Sequence, residues 1–166
     1  DKLQVQLFDT HNDPISQVAT VNSFANITDY SVTAFNDTSV AIASLIYHQD
    51  STHLFIEYFP FNSTSTYITN SKVPNGAMSL NLESIASTPN RTELIAAYRE
   101  GDALLHMKKL SIQNGAIFET NANETLSSGS DKVTYKIKAT QDGSFALVWS
   151  NGTGLYELGY SNTTEA

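Results

Sequence analysis

Three histidines and two acidic residues are the side chains whose chemistry could serve catalysis or metal binding. His48, Asp50 and His53 fall in one predicted hairpin loop. A site there would need a further ligand and an orienting group, and His106 or Glu57 could serve only if the fold brought them near. The chain has no G-x-S-x-G, H-E-x-x-H or phosphate-loop pattern. We therefore expect solvated loop residues, no catalysis and no bound cofactor.

Residues 9–13 offer a second possible site, because their side chains provide three oxygen ligands at near-alternate spacing. A calcium loop supplies about six oxygens or more, usually with a bidentate Glu and a turn Gly. Both of these residues are missing from the segment. The segment is more typical of a hairpin turn in which an Asp side chain accepts backbone hydrogen bonds. We predict such a turn and no metal site.

Asn-x-Thr triplets are the strongest functional pattern in the sequence. With 14 Asn and 18 Thr among 166 residues, chance would give roughly one or two triplets of this form, whereas the chain has seven. None has Pro in the middle position, as N-glycosylation requires. Asn and Thr also suit turns, which is the alternative explanation. We predict an extracellular or cell-surface protein whose only attached groups are covalent N-glycans at Asn26, Asn36, Asn62, Asn90, Asn123, Asn151 and Asn162.

The elements that would position these residues come from an internal repeat. Three apolar segments, residues 40–44, 94–98 and 145–149, recur at intervals of about fifty residues, and each follows a polar turn. The turns that hold Asn36 and Asn90 are equivalent in this alignment. About three repeats result, approximately at 4–54, 55–105 and 106–154, with a partial fourth at 155–166.

A second set of matching positions supports the same repeat. Residues 8–15 match residues 110–117 without a gap. Phe59 lies midway between the first residues of these two segments, and Tyr160 begins a further copy. The chain therefore begins and ends inside a repeat.

A repeat near fifty residues with about four strands has the size of a β-propeller blade. Within one repeat, strands are predicted at 31–35, 40–47, 53–61 and 67–73. We predict one all-β domain over 1–166, made of blade-like four-stranded repeats, with a β-sandwich or jelly roll as the alternative. Three repeats are too few to close a propeller ring, so we expect an incomplete array.

The repeat also decides between helix and strand for residues 92–109. This segment has good helix formers, and residues 90–93 form a pattern typical of a helix start. In the repeat, however, residues 94–98 align with residues 145–149, and the Gly101 position aligns with a turn. Because tertiary context overrides propensity, we predict a β-hairpin here.

Composition and charge exclude several classes of protein. The formal net charge is −8, and the nine Lys and Arg residues are scattered, so the chain lacks the basic stripe that binds nucleic acid. It has no Cys, which excludes disulfides and zinc–thiolate sites. No apolar run approaches the length of about 18 residues that is needed to cross a membrane. We expect no nucleic-acid partner and no membrane span.

Residues 139–150 and 8–15 resemble a tandem repeat found in large secreted and surface proteins of ciliates and bacteria. That repeat has a "dGsFvvvW" strand, matched here by residues 142–149, and an "iFd.nGn.i" hairpin. Val21-Asn22 also fits the pattern, whereas residues 59–61, Phe-Pro-Phe, depart from it. The resemblance implies a propeller-like, non-enzymatic extracellular array.

The incomplete array and its strand edges predict what the chain binds. Edge strands carry unpaired backbone groups that invite pairing with another chain, and the predicted edges lie near residues 3–8 and 155–160. We expect a structural or adhesive protein that self-assembles into a filament or surface layer with other copies or with adjoining repeats of a longer chain. The residues expected at these edges are Leu3, Val5, Leu7, Leu155, Leu158 and Tyr160.

A carbohydrate-binding propeller, similar to lectins, is the alternative function. Aromatic residues cluster in two repeats and could stack on sugars, although aromatics on strands more often pack between sheets. The equivalent positions Ser44, Tyr98 and Trp149 differ in residue type. This difference argues against a sugar pocket that recurs between blades.

Overall fold

The regular structure is entirely β-strand in the part of the chain that the computed structural model describes. That part comprises residues 4–6, 8–14, 18–20, 26–36, 39–60, 67–88, 91–113, 116–119, 124–128, 133–139, 144–150, 152 and 154–160. No helix in these ranges is long and apolar enough to cross a membrane. The predicted all-β class is confirmed. The strands are β1 (Gln4–Val5), β2 (Ala19–Thr20), β3 (Ile27–Asn36), β4 (Ser39–His48), β5 (Ser51–Pro60), β6 (Tyr67–Val73), β7 (Ala77–Thr88), β8 (Arg91–Glu100), β9 (Leu104–Gln113), β10 (Ala116–Glu119), β11 (Glu124–Ser128), β12 (Thr134–Ala139), β13 (Phe145–Ser150) and β14 (Leu155–Tyr160).

Most strands belong to three antiparallel sheets in which strands that are neighbours in the chain pair with each other. The first sheet has the order β3-β4-β5-β6, the second β7-β8-β9-β10 and the third β12-β13-β14. β11 also belongs to the second sheet, because it pairs with the half of β9 that β10 leaves free. A separate two-stranded sheet joins β1 and β2. The four strands predicted within one repeat correspond to β3, β4, β5 and β6.

The three sheets share one pairing register between their second and third strands. Val40 of β4 lies opposite Phe59 of β5, and Leu94 of β8 lies opposite Leu110 of β9. In the third sheet, Phe145 of β13 lies opposite Tyr160 of β14. These are the positions that the sequence repeat aligns, so the repeat is expressed as equivalent hairpins in successive sheets.

The segment predicted as a hairpin against its helix propensity is a hairpin. β8 and β9 pair over their full lengths, with Gly101 in the turn at a φ of +58°. Successive residues of β8 point to opposite faces, and both faces are buried: Leu94 and Ala96 lie in one core, and Ile95 and Ala97 in another. A strand buried on both faces reads as a continuous apolar run, which explains its helix-like sequence.

The sheets stack face to face, with the second sheet in the middle. One core joins the first and second sheets, and the other joins the second and third. We call the face of each sheet that is turned toward the earlier part of the chain its N-side face, and the opposite face its C-side face. The pair of sheets that encloses each core resembles a sandwich, while the third sheet makes the whole a stack of blade-like units.

The first strands of neighbouring sheets are joined by hydrogen bonds from side chain to backbone. Leu80 N–H of β7 donates to Asp29 Oδ2 of β3 at 2.7 Å, and Leu82 N–H donates to Ser31 Oγ at 3.0 Å. The pairing register of β7 with β8 shifts between Met78 and Asn81. Such a bulge turns backbone groups away from the strand ladder, and here β3 accepts from them.

Candidate functional site: the edge of the third sheet

β14 is held in place by a glycine-containing turn and by its pairing with β13. Gly152 in the turn has a φ of +85°, a conformation that favours glycine. A Cβ added at Gly154 would lie 3.3 Å from the Tyr156 hydroxyl, so a larger residue there would require the Tyr156 ring to shift slightly. β13 and β14 then pair over six residues, from Ser150 opposite Leu155 to Phe145 opposite Tyr160.

The two faces of β14 have different surroundings. On the N-side face, Leu158 packs against the core between the second and third sheets, and the rings of Tyr156 and Trp149 stack at 5.7 Å. On the C-side face, Leu155 is 76% exposed, and Glu157 and Gly159 are exposed. The strand is therefore anchored on one face and open on the other.

The outer edge of β14 has no strand partner among the described residues. The equivalent strands do: β5 pairs with β4 and β6, and β9 pairs with β8 on one side and with β10 and β11 on the other. β14 pairs with β13 alone. Outward-pointing N–H and C=O groups on such an edge can accept another strand.

Four of the six residues predicted at the assembly edges lie within the described residues, three on β14 and one on β1. Leu155, Leu158 and Tyr160 lie on β14, and Tyr160 is the last residue of that strand. At the other predicted edge, half-buried Val5 on β1 pairs with Ala19 of β2. The other two predicted residues there, Leu3 and Leu7, lie outside the described residues.

Two of the predicted glycosylation sites lie within the described residues. Asn26 is exposed with a φ of +84°, and its carbonyl accepts a hydrogen bond from Tyr47 N–H at 3.1 Å. The Thr28 hydroxyl of the same triplet donates to the Leu45 carbonyl at 3.2 Å. Asn36 is the last residue of β3. The other five predicted sites lie outside the described residues: Asn62, Asn90, Asn123, Asn151 and Asn162.

The positions of the triplets along the chain relate to strands at sheet edges. Asn26 and Asn36 bracket β3, the first-strand edge of the first sheet. Asn123 falls between β10 and β11, and Asn151 and Asn162 precede and follow β14. Bulky polar glycans at these positions would border the strands that another chain could pair with.

The histidines and acids considered for chemistry do not form one site. Glu57 and His53 lie on β5, on the N-side face of the first sheet, opposite Ile42 and Ile46. The prediction that His53 is a solvated loop residue is therefore wrong, because it is a half-buried strand residue. His106 lies on the N-side face of the second sheet, so the first sheet separates it from Glu57. No group of three or more His, Cys, Asp or Glu in the described ranges could hold a metal ion.

The loops that contain the remaining candidates are ordinary hairpin turns. His48 and Asp50 are exposed, and Asp50 follows Gln49 in a two-residue turn with φ values of +58° and +48°. Both values positive is the pattern of a type I′ hairpin. In the loop of residues 9–13, Asp9 Oδ1 accepts hydrogen bonds from His11 N–H at 2.8 Å and from Asp13 N–H at 3.0 Å. The predicted Asx-type turn is confirmed.

A polar cluster around His106 was not predicted from the sequence. Its Nε2 lies 3.1 Å from Glu100 Oε2, its Nδ1 lies 3.2 Å from Thr125 Oγ1, and its ring stacks on Tyr98. A carboxylate, an imidazole and a hydroxyl in this order can activate the hydroxyl as a nucleophile. Here the imidazole is 7% exposed, and the cluster ties β8, β9 and β11 together. The only sequence signal for this cluster was the alternation of side chains along the predicted hairpin, which places residues 98 and 106 on the same face.

A second unpredicted polar cluster fixes the third sheet on the second. The Arg99 guanidinium is buried and donates to the Val133 carbonyl at 3.1 Å and to Ser79 Oγ at 2.8 Å. The Tyr135 hydroxyl of β12 donates to the Ala97 carbonyl at 2.7 Å and also lies against the Ser79 carbonyl. Ser79 has a φ of +55° and sits in the β7 bulge, which aims its carbonyl at Tyr135. The β7 bulge therefore presents one hydrogen-bonding group to β3 and another to β12.

The Tyr135 hydroxyl titrates above its usual range because of this environment. Burial, the largest cause, raises the pKa of Tyr135 to about 12, and the Asp29 carboxylate adds to the rise. Hydrogen bonding with Asn81 and the charge of Arg99 oppose it. The neutral hydroxyl is therefore the form that joins the two sheets.

Comparisons of this chain with models of known families, with curated proteins and with solved structures gave no match. The resemblance to the tandem repeat of secreted and surface proteins therefore stays a prediction.

Proposed function

We propose that this protein is a secreted, N-glycosylated structural or adhesive component of a cell surface that self-assembles through strand edges and performs no catalysis. The observation that carries the proposal is the edge of β14. The third sheet has three described strands where the first sheet has four, and Leu155 at its edge is 76% exposed. An edge of this kind is a template for strand addition by another chain.

The glycosylation triplets support the same function from a separate direction. Seven acceptor motifs support passage through the secretory route, and Asn26 is exposed at the start of an edge strand. Glycans beside β3 and β14 would block pairing in wrong registers while leaving part of the edge accessible. The assembled protein would then present glycans on its outer surface.

Light scattering and electron microscopy of the purified, still glycosylated protein test this proposal. We expect filaments or discrete multimers whose mass rises with protein concentration. Enzymatic removal of the glycans should increase irregular aggregation, because the edges lose their shield. A particle that stays at the mass of one chain plus glycans at every concentration would contradict the proposal.

Carbohydrate binding is a second candidate, favoured by one observation. The Tyr156 ring is 42% exposed and stacks on Trp149, and an exposed aromatic ring can stack on a sugar face. Because Trp149 is the only Trp in the chain, a sugar bound there would change its fluorescence. Glycan-array binding that Tyr156→Ala abolishes would favour this function over assembly.

A further inference from the structure

We infer that a second copy of this chain adds a strand to the third sheet, by antiparallel pairing of β14 with β14 about a two-fold axis that passes midway between the two copies of Leu158. The inference rests on the proposed function of self-assembly and specifies its interface. Two-fold contacts in which the same surface meets itself are the commonest form of association between identical chains.

The orientation of the strand that the second copy adds follows from the other sheets. β6 runs antiparallel to β5, and β10 and β11 run antiparallel to β9. A strand added at β14 in the same way must therefore run antiparallel to it. A second β14 related by a two-fold axis perpendicular to the sheet has this direction, and each residue stays on the face it occupies in the single chain.

The alternation of β14 restricts the possible registers. Residues that face each other across an antiparallel pair lie on the same face, so one residue of the strand must lie directly opposite its own copy. The axis passes midway between these two copies, and we call it an axis through that residue. An axis through Leu158 places Leu158 opposite itself and position 156 opposite position 160. These positions share the N-side face. On that face Leu158 already packs against the core, and Tyr156 already stacks on Trp149. The apolar surface would continue across the interface.

Charge argues against the register that is shifted by one residue toward the start of β14. An axis through Glu157 would place the two Glu157 carboxylates directly opposite each other, which is destabilising. With the axis through Leu158, Glu157 lies opposite Gly159, and both are exposed. Position 159 has open space around it, because an added Cβ would meet nothing within 4 Å. The Glu157 side chain can therefore extend over it into solvent.

The net charge of the chain predicts how salt affects this association. Each copy carries a formal net charge of −8, and like charges repel more strongly when salt is low. Pairing through backbone hydrogen bonds and apolar side chains should therefore strengthen as salt is raised from 20 mM to 300 mM.

Single-cysteine variants test the register directly, because the chain contains no Cys. Leu158→Cys, Glu157→Cys and Leu155→Cys are each purified and oxidised mildly, and dimers are measured on non-reducing gels. A disulfide needs Cα atoms within about 7 Å. In the inferred register only the Leu158→Cys thiols lie directly opposite, while position 157 faces its copy diagonally. We expect disulfide-linked dimer as the main product for Leu158→Cys and little for the other two.

A mixed pair keeps the test valid if Leu158→Cys perturbs the core. Glu157→Cys mixed with Gly159→Cys should give the disulfide-linked heterodimer, since these exposed positions are opposite in the inferred register. Light scattering of the same samples separates the two proposals. Self-association without either cross-link, or cross-linking of Glu157→Cys alone, would overturn the register while leaving assembly intact. A chain that stays monomeric would overturn both.

Discussion

β5 and β14 hold the same place in their sheets but differ in pairing and exposure. Each is a third strand, and Phe59 and Tyr160 occupy matching register positions in them. β5 has ten residues, pairs on both sides, and buries Leu54 and Ile56. β14 has six residues, pairs with β13 alone among the described strands, and leaves Leu155 76% exposed.

The difference explains why we propose one of the repeated units, and not the others, as an interaction site. The repeat supplies the same hairpin each time, so β14 has the backbone geometry of an interior strand. Among the described residues, no strand lies on the outer side of β14, whereas β5 and β9 each have neighbours on that side. An edge that is shaped like an interior strand is ready to pair with another chain, whereas a strand designed as an edge is usually short, charged or bulged.

The largest expected effect comes from the two cores that flank the second sheet. Leu45 lies in the core with the first sheet and Leu147 in the core with the third, and both are fully buried. Leu→Ala at either site should lower the free energy of unfolding by about 2–5 kcal/mol, measured by urea denaturation. Leu147→Ala should also weaken association, because Leu147 pairs with Leu158. If folded Leu45→Ala loses as much association as Leu147→Ala, the third sheet has no special role in assembly, which would contradict the comparison of β5 with β14.

A smaller and pH-dependent effect is expected from Tyr135, which joins the third sheet to the second. Its pKa is raised to about 12, above the value of about 10 for an unfolded Tyr. The stabilisation by the neutral hydroxyl is therefore complete below about pH 10 and is lost as the pH rises through about 12, a change of roughly 2–3 kcal/mol.

The fluorescence of Trp149, the only Trp, reports this loss because Trp149 lies in the third sheet. Wild-type protein should show a change in Trp149 fluorescence between about pH 10 and 12 that Tyr135→Phe reduces. The variant should be less stable than wild type at pH 7, since the carbonyls of Ala97 and Ser79 lose their hydrogen-bond donor. An unchanged alkaline transition in Tyr135→Phe would show that this hydroxyl does not hold the third sheet.

The contact between β3 and β7 should be weaker than either core. Asp29→Ala leaves Leu80 N–H without its acceptor, which should cost about 1–3 kcal/mol if the group stays out of water. Asp29→Asn is the matched control, because it keeps an acceptor oxygen in place. Thermal unfolding should rank the stabilities as wild type, Asn variant and Ala variant. If Ala and Asn behave alike, the carboxylate rather than the acceptor geometry is what matters.

The smallest effect is expected from the exposed ion pair between β12 and β7. Lys138 Nζ lies 3.7 Å from Glu83 Oε2, and the Lys138 side chain is 81% exposed. Lys138→Ala should change the free energy of unfolding by less than about 1 kcal/mol. A loss as large as that of Asp29→Ala would contradict the view that buried hydrogen bonds, not surface charge, join the first strands.

The sequence was sufficient for the four strands of one repeat and for the hairpins that the repeat aligns, because those depend on alternation and spacing. The match of residues 94–98 with 145–149 predicted the β8–β9 hairpin against its helix propensity. The polar clusters at His106 and Arg99 could not be predicted, because they depend on which faces of non-neighbouring strands meet. A shift of one residue would place each side chain on the opposite face, and the Ser79 bulge produces such a local shift.

The candidate site was predictable only in part for the same reason. The repeat pattern predicted a strand edge at residues 155–160. It did not show that Leu158 faces the core while Leu155 faces outward. That distinction follows from the pairing of β14 with β13 and from the stack beneath it.

Amide hydrogen exchange of β14 at increasing concentrations of the glycosylated protein tests the central claim most directly, with β5 as the internal reference. The amides of β14 that point away from β13 have no described strand partner in a single chain, and they become hydrogen-bonded if another strand pairs there. We predict that their exchange slows as protein concentration rises, while exchange in β5 does not change. Exchange in β14 that is independent of concentration, in samples where light scattering detects multimers, would contradict assembly through this edge.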